Sequence, residues 1–247
     1  MLASDNIALV TCRQSAVPSW EHVFVADAIV DDSYVTNRTK ERGYCLPLYL
    51  YPEEQDLDQT RRINLDRKLW SELKKRVKHS AHGAPDELAV FDYIYGVLHC
   101  TAYRETYAEF LKADFPRIPW PTTPDEFWTV ADAGGQLRRL HLMKPADIGD
   151  APYLFMGEGD NIAGKARFAD DKVWINETQY FDNSPKVSWT FCIGGYQPAQ
   201  KWLKDRKGCA LSFTDVKHYQ RIIKILSETD RIMQTITLDL PAPSESG

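Results

Sequence analysis

Few residues in this chain have the type and spacing to do chemistry. Gly159-Asp-Asn-Ile-Ala-Gly164-Lys165 has the GxxxxGK spacing of a phosphate-binding loop. Such a loop uses backbone amides and the lysine on the phosphates and a following Ser or Thr hydroxyl on magnesium. Ala166 stands in the hydroxyl position. The loop should also open a helix whose N-terminus completes the anion site, yet residues 172–176 beyond it read as a strand. The stretch therefore reads as a glycine-containing loop. A nucleophilic hydrolase would need GxSxG or a cysteine with a placed histidine. GxSxG is absent, and His99 and Cys100 are neighbours that cannot face each other on a helix. His79 and His82 are three apart, with no third ligand and no HExxH frame, so they make no metal site. Asp170-Asp171-Lys172 carries nuclease-like residue types without separated acids, and reads as a solvated turn. No catalytic residue and no metal ligand is expected in this chain.

The elements that would have to position any site point to an α+β fold. Residues 6–12, 22–30 and 44–51 read as strands, the last as an edge strand because Pro47 cannot donate to a ladder. From Asn64, the expected N-cap, Leu65, Leu69, Leu73 and Val77 recur at helical spacing. Helices are expected over residues 86–100 and 103–113. Phe115-Pro116-Arg117-Ile118-Pro119-Trp120-Pro121 forbids a helix and reads as an extended strap. A helix over residues 125–143 is weakened by Gly134-Gly135. Residues 172–176 and 186–193 read as strands, and 200–205 as a short helical turn ending at Gly208. Ser212-Phe-Thr-Asp215 resembles a capping box. It precedes an apolar stripe of Val216, Tyr219, Ile222, Ile223, Leu226 and Met233, the strongest helix in the chain. Residues 241–247 read as a frayed tail. Mixed β regions thus flank a helical middle, with a long helix at the C-terminal end. The whole chain of 247 residues reads as one region, with a subdomain boundary placed near residue 145.

Composition excludes several classes. No apolar run approaches the roughly 20 residues of a membrane span, and the first residues lack the basic and apolar regions of a signal peptide. Five cysteines, Cys12, Cys45, Cys100, Cys192 and Cys209, form neither an even framework nor a CxxC pair, which speaks against disulfides and zinc. A bacterial cytoplasmic protein with reduced thiols is expected. There the sequons at Asn37 and Asn176 carry no meaning.

The net charge of −5 counts against phosphate binding, but its distribution is uneven. Arg61, Arg62, Arg67, Lys68, Lys74, Lys75, Arg76 and Lys78 stand against Asp66 and Glu72 alone. Lys201, Lys204, Arg206 and Lys207 surround Trp202 with only Asp205 among them. Trp202 reads as the buried anchor of that turn.

Three long segments carry a resemblance. They are Phe91-Asp-Tyr-Ile-Tyr-Gly-Val-Leu-His-Cys-Thr-Ala-Tyr-Arg-Glu-Thr-Tyr-Ala-Glu-Phe-Leu-Lys with Asp114-Phe-Pro-Arg-Ile-Pro, then Ile193-Gly-Gly-Tyr-Gln-Pro-Ala-Gln-Lys-Trp-Leu-Lys-Asp-Arg-Lys-Gly208, then His218-Tyr-Gln-Arg-Ile-Ile with Arg231-Ile-Met-Gln. Together with Trp20-Glu-His-Val-Phe-Val-Ala-Asp and residues 44–52, they resemble the C-terminal specificity domain of type ISP restriction–modification enzymes, over about residues 6–235. The resemblance implies sequence-specific recognition of double-stranded DNA. It also implies an adenine-N6 methyltransferase on the same polypeptide, with a nuclease and an ATPase. S-adenosylmethionine, ATP and magnesium would belong to those other domains and not to this chain. The chain has no Asn-Pro-Pro-Tyr, Walker or nuclease motif, and is expected to be a specificity domain separated from its catalytic neighbours. A docking module that reads no bases is the competing expectation.

Within that reading the polar stretch 157–186 is the expected reading surface. It offers Asn161, Lys165, Arg167, Asn176, Gln179 and Lys186, because Arg or Lys reads guanine and Asn or Gln reads adenine. Lys201, Lys204, Arg206 and Lys207 are expected on phosphates. Lys74, Lys75 and Lys78 form a second basic face.

Overall fold

The computed structural model describes residues 5–16, 19–31, 42–53 and 55–240. The sequon at residues 37–39 and the tail at 241–247 lie outside them. The chain divides into two compact units, Met1–Leu142 with Ile232–Gly247, and Met143–Arg231.

The first unit opens with β1 (Ala8–Cys12), β2 (Val23–Ala26) and β3 (Gly43–Pro47), an antiparallel sheet in the order β2-β1-β3. Alternate β1 residues are apolar, and Ala8, Val10 and Cys12 are fully buried. Pro47 closes the edge strand β3 opposite Ala8, where its missing N–H costs no ladder bond. β4 (Tyr49–Leu50) pairs with β5 (Arg62–Ile63).

Five helices follow: α1 (Arg67–Arg76), α2 (Glu87–His99), α3 (Thr101–Thr106), α4 (Ala108–Ala113) and α5 (Pro124–His141). Asp66, not Asn64, caps α1, accepting from the amides of Lys68 and Leu69. Asn64 instead donates its amide to the Pro47 carbonyl. The helix expected over 103–113 is two short ones, broken at Tyr107, whose backbone has φ −108° and ψ 21°. Pro124 sits in the first turn of α5 behind the N-cap Thr123, where proline loses no hydrogen bond.

Gly134 and Gly135 do not weaken α5; they let it approach α2. A Cβ on Gly134 would lie 1.9 Å from the Asp92 carbonyl oxygen, and one on Gly96 would lie 2.5 Å from that of Val130. Tyr93, Tyr95, Leu98, Phe127 and Leu137 fill the core around this contact. The strap is pinned by its carbonyls. Tyr103 donates to Arg117, Tyr93 to Pro119, and the Arg76 Nε to Pro121.

The second unit begins with α6 (Pro145–Ile148), followed by β6 (Phe155–Met156), β7 (Arg167–Ala169), β8 (Lys172–Trp174) and β9 (Tyr180–Phe181). These strands form an antiparallel sheet in the order β6-β9-β8-β7. α7 (Lys186–Thr190), α8 (Pro198–Asp205) and α9 (Phe213–Met233) complete the chain. The strand expected over 186–193 is the short helix α7. Its β-branched and aromatic residues mimic a strand pattern, but they form one helical turn after Pro185, the N-cap, whose backbone is still extended at ψ 135°. Ser188 returns its hydroxyl to the Pro185 carbonyl.

The capping box of α9 is formed. The Asp215 amide donates to the Ser212 Oγ at 3.1 Å, and the Ser212 amide donates to the Asp215 carboxylate at 3.0 Å. Tyr219, Ile223 and Leu226 of α9 pack with Val173, Ile175, Phe181 and Leu203 as the core of this unit. Among the described residues no helix is long and apolar enough to cross a membrane.

Candidate nucleic-acid interface

The second unit gathers two of the basic regions that lie apart in sequence. Residues 161–163 run against 208–211. The Gly208 amide donates to Ala163 O at 2.7 Å, the Ala163 amide to Cys209 O at 3.0 Å, and the Leu211 amide to Asn161 O at 2.9 Å. Ile162 bridges Ala210. The stretch around Lys165 and Arg167 is thereby tied to the one that follows Lys204, Arg206 and Lys207.

Side chains within this region divide into two kinds. Gln179 is 2% exposed. Its Oε1 accepts from the Asn161 amide and from Asn176 Nδ2, and its Nε2 donates to Asn161 Oδ1. Asn176 Nδ2 also donates to Ile162 O, while its Oδ1 accepts from the amides of Thr178 and Gln179. These amides build the loop. They also explain the first glycine of the GxxxxGK match. A Cβ on Gly159 would lie 2.6 Å from Gln179 Oε1, so that glycine makes room for an internal side chain. Lys165 is followed by β7, not by a helix. The residues present do not fit a nucleotide phosphate group.

The cations divide likewise. Lys201 Nζ is paired with Asp205 at 2.6 Å. Arg206 Nε is 3.4 Å from Asp215, and its guanidinium lies 3.6 Å above the Trp202 ring. Trp202 in turn packs on Tyr219 and His218, but it is half-buried rather than the buried anchor expected, because one face of its ring carries the Arg206 guanidinium. Ser212, through its hydroxyl and amide, holds the Asp215 carboxyl below the usual carboxylate range, and Arg206 adds to this. By contrast Lys165, Arg167, Lys186, Lys204 and Lys207 are exposed. None of them makes an ion pair among the described residues.

Lys74, Lys75 and Lys78 belong to the first unit. Lys74 and Lys75 lie in the last turn of α1 with Arg76, where cations offset the helix dipole. Lys74 Nζ lies 4.8 Å over the Trp70 ring. Lys75 and Lys78 are exposed. His79 sits 2.9 Å from the Asp125 carboxylate, and His82 stacks on Trp128. No group of three metal-ligating side chains occurs among the described residues.

Residues 1–235 match the type ISP C-terminal specificity domain. The chain belongs to that family. Three solved structures share the fold of this specificity domain. The ATP-dependent type ISP restriction–modification enzyme LlaBIII bound to DNA matches with a TM-score of 0.71 at 15% identity, covering 97% of this chain and 16% of that one. A DrdV–DNA complex matches with a TM-score of 0.69 at 22% identity, covering 97% and 25%. A nuclease-deletion mutant of the type ISP enzyme LlaGI with a DNA substrate mimic matches with a TM-score of 0.66 at 19% identity, covering 97% and 22%. The specificity domain thus spans a quarter or less of the chains it matches. No curated protein matches it.

One feature lay beyond sequence reasoning. Trp174, Tyr180 and Lys172 join Arg167 on one face of the sheet, a grouping that only the strand register reveals.

Proposed function

We propose that this chain recognises a specific sequence in double-stranded DNA on behalf of a type ISP restriction–modification enzyme. In such an enzyme an adenine-N6 methyltransferase and a nuclease would be carried by other domains of the same polypeptide. Membership of the specificity-domain family over residues 1–235 carries this reading. The fold neighbours support it, since the three structures named hold DNA or a DNA mimic. The exposed cations of the second unit supply the chemistry. Lys204 and Lys207 would meet phosphates, and Lys165, Arg167 and Lys186 would stand toward the groove. Asn176 and Gln179 are spent on the loop and act as its scaffold. S-adenosylmethionine, ATP and magnesium would be bound by the other domains, and the chain contributes selection of the site rather than bond-making. It would work in the bacterial cytoplasm, beside the DNA.

A net charge of −5 sets the expected affinity. The chain alone should bind duplex DNA weakly and lose affinity steeply as salt rises, because affinity tracks the number of neutralised phosphates. Titration against random-sequence duplexes at low and moderate salt tests this. No binding at low salt would overturn autonomous recognition. Exchanging this region between two type ISP enzymes and sequencing the methylated sites tests its role in selection. An unchanged methylated sequence would make it a docking module.

A further inference from the structure

We infer that Arg167 is a guanine-reading side chain, held in position by the indole of Trp174 on the outer face of the second unit's sheet. The inference rests on the DNA-recognition reading above and names the residue through which the sheet would act.

Register fixes the face. Arg167 pairs with Trp174, Trp174 with Tyr180, and Tyr180 with Met156. Residues directly opposite one another in a sheet point to the same side, and adjacent rows alternate. The next row, Phe168, Val173, Phe181 and Phe155, packs in the core. The row beginning at Arg167 therefore faces outward.

Within it the Arg167 guanidinium lies 4.6 Å from the Trp174 ring centroid. Lys172 Nζ lies 4.6 Å from that of Tyr180, and the two rings are 4.6 Å apart. The Trp174 Nε1 is enclosed and makes no hydrogen bond among the described residues. What the indole offers Arg167 is its face. A guanidinium stacked on an aromatic ring keeps its five donors while losing rotamer freedom in advance.

The hairpin holds this arrangement. Asp170 and Asp171 have φ of 53° and 51° and join Ala169 to Lys172 as a two-residue turn. Two left-handed residues match the twist of the flanking strands, as in a type I′ turn. Such a turn sets the register, and a slip by one residue would turn Arg167 into the core. The turn carboxylates begin three residues beyond Arg167, about 10 Å along the strands. The β7–β8 hairpin forms one edge of the four-stranded sheet, so Arg167 stands on an edge strand, from which it could reach a major groove where guanine presents O6 and N7 to an arginine fork.

Selection from a pool of random duplexes, with the 247-residue chain at low salt, tests the assignment. The wild type should enrich a motif containing guanine. Arg167→Ala should lose preference at one guanine by about 5- to 150-fold and keep the other positions. Arg167→Lys should retain part of that preference. Trp174→Phe, which keeps an aromatic face, should preserve it. Trp174→Leu should reduce it at the same position, with random-duplex affinity unchanged when measured well below that variant's melting temperature. An unaltered motif in Arg167→Ala would overturn the inference and leave DNA recognition standing. So would a uniform loss at every position, which marks a phosphate contact. A wild type that binds but enriches nothing would overturn sequence recognition itself, and this inference with it.

Discussion

Gly134 of α5 lies so close to Asp92 of α2 that a Cβ on it would stand 1.9 Å from the Asp92 carbonyl oxygen. The atom in the way belongs to a helix backbone and cannot swing aside. Gly134→Ala therefore sets two effects against each other. Alanine gains about 1 kcal/mol of helix propensity over glycine. Overpacking a rigid contact costs about 1–3 kcal/mol and sometimes more. Backbone against backbone belongs at the upper end, so a net loss of about 2 kcal/mol is expected from urea denaturation. A variant as stable as the wild type would mean that the helices do not touch here.

The same turn of α2 carries the Asp92 side chain to Arg138, with contacts of 2.6 and 3.0 Å. Both side chains are nearly buried, at 10% and 12% exposure. Burial pushes the Asp92 carboxyl up in pKa, against the opposing pull of Arg138. Removing one partner strands the other charge, so Asp92→Leu or Arg138→Met should each cost about 3–5 kcal/mol. The double variant Asp92→Leu/Arg138→Met should cost much less than their sum, because it strands no charge. Strict additivity in that cycle would show that the pair is not coupled.

These contacts mark where sequence reasoning stopped. The α9 capping box was legible because Ser212 and Asp215 interact three residues apart. Likewise the Pro-rich strap was legible because proline acts on its own backbone. Gly134 read as a helix defect because its reason, Asp92, lies in another helix. Residues 186–193 read as a strand because a one-turn helix has no room for helical periodicity. At the interface the basic residue types stood out in the sequence. Their availability did not: the burial of Gln179 against Asn161 and Asn176 depends on neighbours that residue type does not reveal. Arg167 was visible as a cation, but its seat on Trp174 required the register of β7 and β8.

That division among the cations predicts how salt dependence changes. Lys204 and Lys207 are exposed, while Lys201 is paired with Asp205. Each phosphate contact contributes about 0.9 to the slope of log affinity against log salt. Lys204→Ala/Lys207→Ala should flatten the slope by about 2, and Lys201→Ala should leave it nearly unchanged. Equal effects from the two variants would show that pairing does not separate contact from scaffold.

Acid should destabilise the first unit through two histidines. His99 Nδ1 lies 2.8 Å from the Tyr95 carbonyl oxygen, which can only accept, so that nitrogen carries the proton of a neutral ring. His141 Nδ1 lies 2.7 Å from the Tyr95 hydroxyl, and the two imidazoles are 5.3 Å apart. Burial, reinforced by the Arg104 charge, lowers both: His141 to about 4 and His99 well below its usual value. An unfolded chain protonates each near pH 6.5. As pH falls below that value the unfolded state takes up protons that the folded state refuses, and stability drops. The loss begins near pH 6.5 and continues to the folded pKa, near 4 for His141. With both sites contributing, the slope should approach about 2.7 kcal/mol per pH unit. Urea midpoints at pH 7, 6 and 5 test this in a range where most carboxylates stay ionised. His141→Gln keeps a partner for Tyr95 and should roughly halve the slope. A midpoint that stays constant from pH 7 to 5 would mean that water reaches both imidazoles.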